Sequence, residues 1–526
     1  MNKDTPRPSA PRRILRTACA LVVCVVPALA LDPGDWPTWG HDGSRCMTSS
    51  EVGLPSQWNA GKYVGRTNEI DVTTTENVKW IARLGSESYG NPTVAGGRVY
   101  VGTNNDAPRD ARLKGDRSNL FCLDEESGEL HWQLSVPKLG TGMVSDWDGV
   151  GICSSASVEG DRVYLVTNRC EVICLDVKGL ADGNDGEFKD EASYMAGPGG
   201  EALELAKTDA DIIWRLDMIE ACGVQPHNIT SSSVLIAGEL LWVTTSNGVD
   251  VDHADVPAPD APCLILVDKQ SGRLLAEEAT GLSQRLFHGN WSSPAALRTA
   301  DAECCIFGAP DGFCYAFSPK VVEQEDGRAV LEELWRVDCN PAEYRAVDGE
   351  EIPYSDMDGP SEVIATPAVY EGRVYCVIGQ EPERGEGAGN LCCIDAAGKL
   401  LWSYAEINRS MSSLAIGDGM VFAADYSGFV HCLDARTGEK LWIHDTMGHI
   451  WGSPLLADGK VYVGNEDGYL TVIPAKREYS KDAVIEVDMQ SPVFSSAIAA
   501  NSVLYVATPT HLYAIEASED SEDTED

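Results

Sequence analysis

The sequence predicts an all-β fold, an eight-bladed β-propeller of four-stranded antiparallel blades. Three observations lead to this prediction. Eight copies of one repeat follow each other along the chain. Each copy holds short segments of alternating apolar and polar residues separated by Gly and Asp turns, a pattern typical of antiparallel strands. The last copy lacks its fourth segment, and a matching segment stands before the first copy.

Each repeat begins with a pair of small residues, and its fourth segment commonly carries a tryptophan. In the clearest copy the four segments are residues 412–416, 421–423, 429–434 and 437–442. The second segment of every copy has a large apolar residue at one place: Tyr100, Tyr164, Trp242, Ile306, Tyr375, Phe422, Tyr462 and Tyr505. A single blade cannot bury both of its faces, so we expect the copies to stack around one axis.

The two ends of the repeat array are complementary. The last copy stops after residues 512–515, and residues 78–84 supply a strand of the missing type. Pairing these two segments closes the ring and removes the exposed strand edges that promote aggregation. The predicted propeller therefore spans residues 76–517, after an N-terminal arm over residues 31–75.

The first 30 residues have the features of an export signal. Five basic residues precede an apolar run over residues 17–30 that ends in Ala28-Leu29-Ala30, and we expect cleavage after Ala30. Arg12-Arg13 gives a loose twin-arginine pattern and Cys24 a weak lipoprotein pattern, so both remain alternatives. No later segment has about 20 consecutive apolar residues. We therefore expect a periplasmic or secreted protein without a membrane span.

The chain is strongly acidic, with a formal net charge of −42. Nucleic-acid binding needs clustered Lys and Arg, so this charge argues against a nucleic-acid partner. Residues 518–526 form a run of acidic residues that we expect to be disordered. The sequence also lacks the motifs of serine hydrolases, zinc proteases, phosphate-binding loops and c-type haem sites.

One repeat position carries a distinctive motif. Cys432, Asp434, Thr437, Gly438 and Trp442 resemble the tryptophan-docking motif of the pyrroloquinoline-quinone (PQQ) repeat family. The resemblance covers about residues 76–517. The stretches 246–250, 288–294 and 451–454 are most similar to exported bacterial PQQ-like propellers, which belong to the BamB-like superfamily. The resemblance implies a quinoprotein-type propeller, and most proteins of this kind have no assigned reaction.

The tryptophans and cysteines of the motif have a structural interpretation. Trp132, Trp214, Trp335, Trp402 and Trp442 share the fourth-strand place, and burying each ring against the next blade contributes about 2–3 kcal/mol. Small cysteines precede Leu-Asp or Ile-Asp on the third strand: Cys122, Cys174, Cys393 and Cys432. We expect them to act as small apolar residues. The adjacent pairs 304–305 and 392–393 lie in predicted strands, where neighbours face opposite ways and do not favour a disulfide.

The long connectors predict which face is functional. In antiparallel blades, the second-to-third and fourth-to-first connectors emerge on the same face. Insertions of these types occur at 104–118, 248–262, 380–389, 138–152, 217–229 and 339–363. The opposite face has fewer, chiefly 177–210 and 320–331. Because function commonly lies on loops held by a rigid scaffold, we expect a ligand site on the elaborated face.

The fourth-to-first connectors should bring polar and aromatic residues to the mouth of the central channel. The candidate ligand-binding residues are His227, Asn228, His288, Asn290, Trp291, Glu362, Asn408, Arg409, His449 and Trp451. Aromatic surfaces with a few convergent polar groups are typical of a ligand pocket. Each residue also has a simpler interpretation, because Asn and His often satisfy loop backbone. No catalytic or metal-binding residue is assigned.

The sequence favours a non-catalytic binding or scaffold module for a protein, peptide or glycan, expected to be monomeric and to need no cofactor. The alternative is a PQQ- and Ca²⁺-dependent quinoprotein dehydrogenase that oxidises an alcohol or sugar. Its nearest candidates are Trp291 or Trp451 for the quinone, Glu362 and Asn290 for Ca²⁺, and Asp148 as base. A third possibility is an assembly scaffold like BamB.

Overall fold

The computed structural model describes residues 31–142, 144–298 and 303–517. The predicted signal peptide and acidic tail both lie outside these residues. The described chain consists mainly of short antiparallel strands, which confirms the predicted all-β class. None of its helices is long and apolar enough to cross a membrane.

Eight antiparallel groups of four strands, here called blades 1 to 8, follow each other in the described residues. A parallel pair between Glu277 and Val330 joins blades 3 and 4 into one eight-stranded sheet. The strands of blades 1 to 4 are Thr93–Ala95, Arg98–Asn104, Arg117–Asp124 and Leu130–Pro137; Ser157–Glu159, Arg162–Thr167, Glu171–Asp176 and Ile212–Asp217; Leu235–Ala237, Leu240–Thr244, Leu264–Asp268 and Leu274–Glu277; and Ala295–Arg298, Glu303–Gly308, Phe313–Glu323 and Ala329–Asp338. Those of blades 5 to 8 are Ala368–Tyr370, Arg373–Val377, Leu391–Asp395 and Leu400–Tyr404; Ala415–Gly417, Met420–Ala424, Phe429–Asp434 and Lys440–Asp445; Leu455–Ala457, Lys460–Gly464, Tyr469–Pro474 and Ile485–Asp488; and Ile498–Ala500, Val503–Ala507, His511–Ile515 and Val78–Arg83.

The remaining elements lie before the blades or in the connectors within and between them. They are the hairpins Asn59–Tyr63/Ile70–Glu76 and Ala346–Val347/Glu350–Glu351, the α-helices Glu191–Ala196, Met218–Cys222 and Ala342–Arg345, and the 3₁₀ turns Gly179–Ala181, Leu282–Gln284, Pro382–Arg384 and Lys481–Ala483. One helix and one 3₁₀ turn lie in the long 177–210 connector, which the sequence placed on the less elaborated face.

The fourth strand of blade 8 comes from the N-terminal side of the propeller. Val78–Arg83 pairs antiparallel with His511–Ile515, with Trp80 opposite Ala514. The Trp80 indole donates to the Glu125 carbonyl oxygen of blade 1 (2.9 Å). A Cβ on Gly128 would lie 2.7 Å from this ring, so glycine permits the close approach. Trp80 thus links the last blade to the first.

In most blades an aromatic residue on the second strand, a small residue on the third and a tryptophan on the fourth lie opposite one another. In blade 1, Cys122 pairs with Tyr100 on one side and Trp132 on the other, and the two rings lie 6.0 Å apart above it. The same row recurs as Tyr164–Cys174–Trp214, Tyr375–Cys393–Trp402, Phe422–Cys432–Trp442 and Tyr505–Ala514–Trp80. A larger residue in the middle would force the rings apart. This explains why cysteine or alanine occupies the third strand there.

All fifteen cysteines among the described residues are free thiols. Cys122, Cys174, Cys393 and Cys432 are buried, which confirms the sequence interpretation that they pack as small apolar residues. The adjacent pairs at 304–305 and 392–393 also lie in buried strands.

Hydrogen bonds join the inner ends of the blades around the axis. We call the participating residues the axial ring: Asn91, Ser155, Ser233, Ser293, Thr366, Ser413, Ser453 and Ser496. From Ser155 to Ser496, the backbone amide of each member donates to the side-chain oxygen of the next one, at 2.6–3.4 Å, ending at Asn91 Oδ1. Ser155 Oγ donates to the Asn91 carbonyl and completes the circuit. These residues are second members of the small-residue pairs seen in the sequence, or their equivalents.

The N-terminal arm packs into the channel on one side of this ring. Its backbone bonds to Val94, Val158, Ala296, Val369 and Leu456, each three residues beyond a ring member. Arg45 is fully buried and donates to the carbonyl oxygens of Val234 (2.7 Å), Pro294 (2.9 Å) and Trp39 (2.6 Å). Burial lowers the pKa of Arg45 to about 10, which still leaves it charged at neutral pH. The arm therefore plugs one end of the channel.

The docking tryptophans should differ in their contribution to stability. Trp132 is completely buried and donates to the Val177 carbonyl oxygen (2.9 Å), whereas the indole nitrogen of Trp402 has no hydrogen-bond partner. We expect Trp132→Ala to cost about 3–5 kcal/mol, seen as a lower thermal midpoint, and Trp402→Ala to cost less. Equal midpoints for the two variants would contradict this account of the docking.

The axial ring gives a second stability prediction. Ser413→Ala removes the acceptor of the Thr366 amide while leaving the Ser413 amide bonded to Ser453. A buried amide without a partner costs about 1–3 kcal/mol, so the urea midpoint of unfolding should fall. Ser413→Thr is the matched control, because threonine already serves at position 366 and keeps the hydroxyl. A Thr variant as unstable as the Ala variant would show that packing, not the hydroxyl, matters there.

Candidate functional site

A cavity of about 730 Å³ occupies the channel on the other side of the axial ring. Ring residues, among them Ser233, Ser293 and Ser453, form its lower wall. Its mouth is formed by fourth-to-first connectors, which supply Trp147 and Asp148, and by inserted second-to-third loops, which supply Asp106 and residues 381–383. The cavity therefore opens on the elaborated face.

The cavity is closed below by the arm. Trp39 lines its floor and donates its indole N–H to Thr366 Oγ1 (3.1 Å), a ring hydroxyl. The arm packs on the propeller, and it also supplies the floor of the cavity. A ligand can thus enter from one face only.

Aromatic rings form opposite walls of the mouth. Trp451 lies 5.0 Å from Phe494 and 6.3 Å from Tyr89, with the Tyr89 ring stacked nearly parallel to it. Trp451 is held by a hydrogen bond from its indole to Glu466 (2.9 Å). Trp291, whose indole donates to the Ile229 carbonyl oxygen (3.1 Å), also lines the cavity.

The charged groups at the cavity are all acidic. Its lining includes five carboxylates, Glu87, Asp106, Asp148, Glu381 and Glu383, and no Lys or Arg among the described residues. Low-dielectric walls focus such a field into the cleft. The cavity therefore favours cationic groups, and its aromatic faces can add cation–π attraction.

Three histidines meet beside the cavity. The ring centroids of His227 and His288 lie 4.5 Å apart, and those of His253 and His288 lie 4.7 Å apart. His227 Nδ1 is bonded to the Val249 carbonyl oxygen (2.7 Å), and its Nε2 is buried without a partner. Burial, helped by the neighbouring His288, lowers the pKa of His227 to about 4. This ring is neutral at physiological pH.

Two carboxyl groups continue the cluster. His288 Nδ1 lies 3.2 Å from Glu381 Oε2, and Tyr354 Oη lies within 3.1 Å of both Glu362 and Glu381. Burial opposes ionisation of Glu381, but contacts with His288 and Arg384 outweigh it and lower its pKa to about 2. Burial together with the Glu381 charge raises the pKa of Glu362 well above the usual range. The pKa values of these two neighbouring carboxyl groups are therefore shifted in opposite directions.

The predicted site residues have different locations. Asn228, Trp291 and Trp451 line the cavity, while His227, His288 and Glu362 form the buried cluster beside it. The side chains of the other four make contacts that stabilise the loops. Asn290 donates to the Cys263 carbonyl oxygen, Asn408 to Asp425, Arg409 to the Asp356 carbonyl oxygen, and the His449 ring packs on Tyr426.

Sequence reasoning did not name His253, Glu381, Tyr354, Trp147 or Trp39 as site residues. His253 and Glu381 lie inside the insertions at 248–262 and 380–389, so the unusual length of those loops was the available signal. Tyr354 and Trp147 lie in the long connectors 339–363 and 138–152. No repeat or length signal points to Trp39.

Comparison with known proteins agrees with this geometry. A family model described as outer membrane protein assembly factor BamB matches residues 62–185 and 387–522. BamB from Moraxella catarrhalis is a similar solved structure, with 14% identity, a TM-score of 0.51, and coverage of 84% of this chain and 98% of that chain.

A quinohemoprotein alcohol dehydrogenase from Comamonas testosteroni is also similar, with 11% identity, a TM-score of 0.46, and coverage of 92% and 81%. No curated protein matched the sequence. The chain is similar to this family over the matched residues, and its propeller fold is the one seen in the BamB structure.

Proposed function

We propose that the protein is an exported binding module, and that its axial cavity takes a segment of a partner protein bearing Lys or Arg side chains. The observation that carries this proposal is the combination of aromatic walls with five carboxylates and no basic residue in the described lining. A partner segment with basic side chains supplies the opposite charge, and its approach is accelerated by the field of the acidic chain.

The size and shape of the cavity suit a short segment. Ligand pockets commonly measure about 300–1,000 Å³, and this one holds about 730 Å³. Because Trp39 and the arm close the floor, a chain cannot thread through the ring. A loop tip, a chain end or one or two long side chains can enter from the mouth.

The lining is better suited to binding than to catalysis. Cys153 is the thiol among the described lining residues, and burial raises its pKa to about 12, so it is a poor nucleophile at neutral pH. The ring hydroxyls accept hydrogen bonds from backbone amides, whereas an activated serine needs an adjacent base.

The cavity does not fit the quinoprotein alternative. PQQ is a tricarboxylate, and its negative charges would face the acidic groups of this lining. Of the residues considered for that reaction, Glu362 is fully buried outside the lining, and Asn290 uses its amide nitrogen on the Cys263 carbonyl oxygen. Only Asp148 and the two tryptophans remain in the cavity.

Peptide binding provides the test. Synthetic peptides of about eight residues that differ only in Lys and Arg content are titrated by fluorescence anisotropy against the purified protein at low and high salt. We expect the basic peptides to bind more tightly and salt to weaken them. Changing the exposed carboxylates Asp106, Asp148 and Glu383 to amides should weaken binding roughly tenfold, and Trp451→Ala by a similar factor.

A matched control removes the same charge from the other face. Glu201, Glu323 and Glu325 are exposed in the 177–210 connector and the 313–338 hairpin, and the triple Gln variant should bind like wild type. If both triple variants weakened peptide binding equally, the affinity would depend on the net charge of the protein and not on the carboxylates of the cavity. The same assay is run with neutral oligosaccharides. If these bound more tightly than the peptides, and Trp451→Ala abolished their binding, the ligand would be a glycan and not a peptide.

A further inference from the structure

We propose that His227, His253 and His288 bind a divalent transition-metal ion, with Zn²⁺ as the best match. One ring nitrogen of each histidine lies within 4.8 Å of the other two. The Nε2 atoms of His253 and His288 are 3.4 Å apart. Tetrahedral zinc with Zn–N distances of about 2.0–2.1 Å separates its nitrogen ligands by roughly 3.3–3.4 Å. The metal site does not depend on the peptide-binding role proposed above, although Glu381 belongs both to the cavity lining and to the surroundings of His288.

The buried nitrogen of His227 is independent evidence for a ligand. Its Nδ1 faces the Val249 carbonyl oxygen at 2.7 Å and must donate a proton to it. With the proton on Nδ1, the opposite Nε2 offers a lone pair to a ligand. It has no partner although the residue is only 1% exposed. A buried acceptor without a partner is costly, and a metal ion at the centre of the cluster would satisfy it.

His288 has the environment of a metal ligand. Its Nδ1 lies 3.2 Å from Glu381 Oε2 without making a hydrogen bond to it, so the carboxylate is placed to accept the Nδ1 proton when Nε2 binds the ion. A carboxylate behind a ligating histidine fixes the tautomer and raises the basicity of the ring. Imidazole ligands favour Zn²⁺ and Cu²⁺ over Mg²⁺ or Ca²⁺.

The fold brings the three histidines from different segments. His227 comes from the connector after blade 2, His288 from the connector after blade 3, and His253 from the inserted loop of blade 3. In that loop the Asp250 carboxylate accepts the Ala254 amide at 2.9 Å, and the turn presents His253 toward the connectors. A Cβ on Gly248 would lie 2.5 Å from the His227 Cβ, so a glycine there permits the loop to approach.

A bound ion would fix the mouth of the cavity. The His288 ring lies 5.1 Å from Trp291, a cavity-lining residue, and His253 belongs to a loop whose neighbouring residues are exposed. Coordination joins the inserted loop to both connectors. Three protein ligands leave a fourth position for water or a ligand group.

The test uses the whole protein, freed of metal by a chelator and titrated with Zn²⁺ by calorimetry. We expect one Zn²⁺ per chain, an intense visible absorption when Co²⁺ is added instead, and a higher thermal midpoint with Zn²⁺. His253→Ala should weaken Zn²⁺ binding at least 100-fold and abolish the Co²⁺ band. This residue is exposed, so its loss spares the core. His131→Ala changes an exposed histidine of blade 1 and should bind normally.

Two further variants distinguish the three-histidine site from the cluster of His288 with Glu362 and Glu381. Glu381→Gln should weaken Zn²⁺ about 10- to 100-fold, as expected for a carboxylate behind a ligating histidine. Glu362→Gln should leave the affinity unchanged, although the carboxyls of Glu362 and Glu381 form another cluster with His288. The proposal is overturned if His253→Ala binds Zn²⁺ like wild type, if Glu362→Gln abolishes binding, or if no Zn²⁺ binds at micromolar concentration.

Discussion

The hydrogen-bonded axial ring is the constraint on which the rest of the molecule depends. Seven of its eight links join a backbone amide to a side-chain oxygen of the next member, and the eighth joins Ser155 Oγ to the Asn91 carbonyl oxygen. These links hold the inner ends of all eight blades at a fixed distance. The ring divides the channel into two compartments. The arm fills one, and the other stays open as the cavity.

Much of the fold could be predicted because its determinants repeat. The small-residue pairs, the third-strand cysteines and the fourth-strand tryptophans recur at fixed positions, and Trp80 carries the same signal at the other end of the array. The course of the arm could not be predicted. Arg45 and Trp39 occur once, and their partners, Val234, Pro294 and Thr366, are distant in sequence and are defined only once the blades have stacked.

The location of the candidate site could be predicted from the sequence, but several of the residues that form it could not. Connectors that end at the ring must pass the mouth, which explains Asn228, Trp291 and Trp451. The same rule fails for Arg409, whose guanidinium instead bonds the carbonyl oxygens at Asp356 and Met357 in the long connector before blade 5. Inserted loops create such competing partners, and their conformation depends on contacts that no periodic pattern records.

The arrangement also explains why chemistry gathers on one side of the ring. On the arm side, Arg45 and the backbone of the arm bond to carbonyl oxygens of the blades, such as those of Val234 and Pro294. On the mouth side, the connectors contribute side chains that face the cavity or lie beside it, such as the Asp148 carboxylate and the ring of His227, whose Nε2 has no partner. Because the arm fills one end of the channel, the cavity opens at the other end, where the connectors and inserted loops line it.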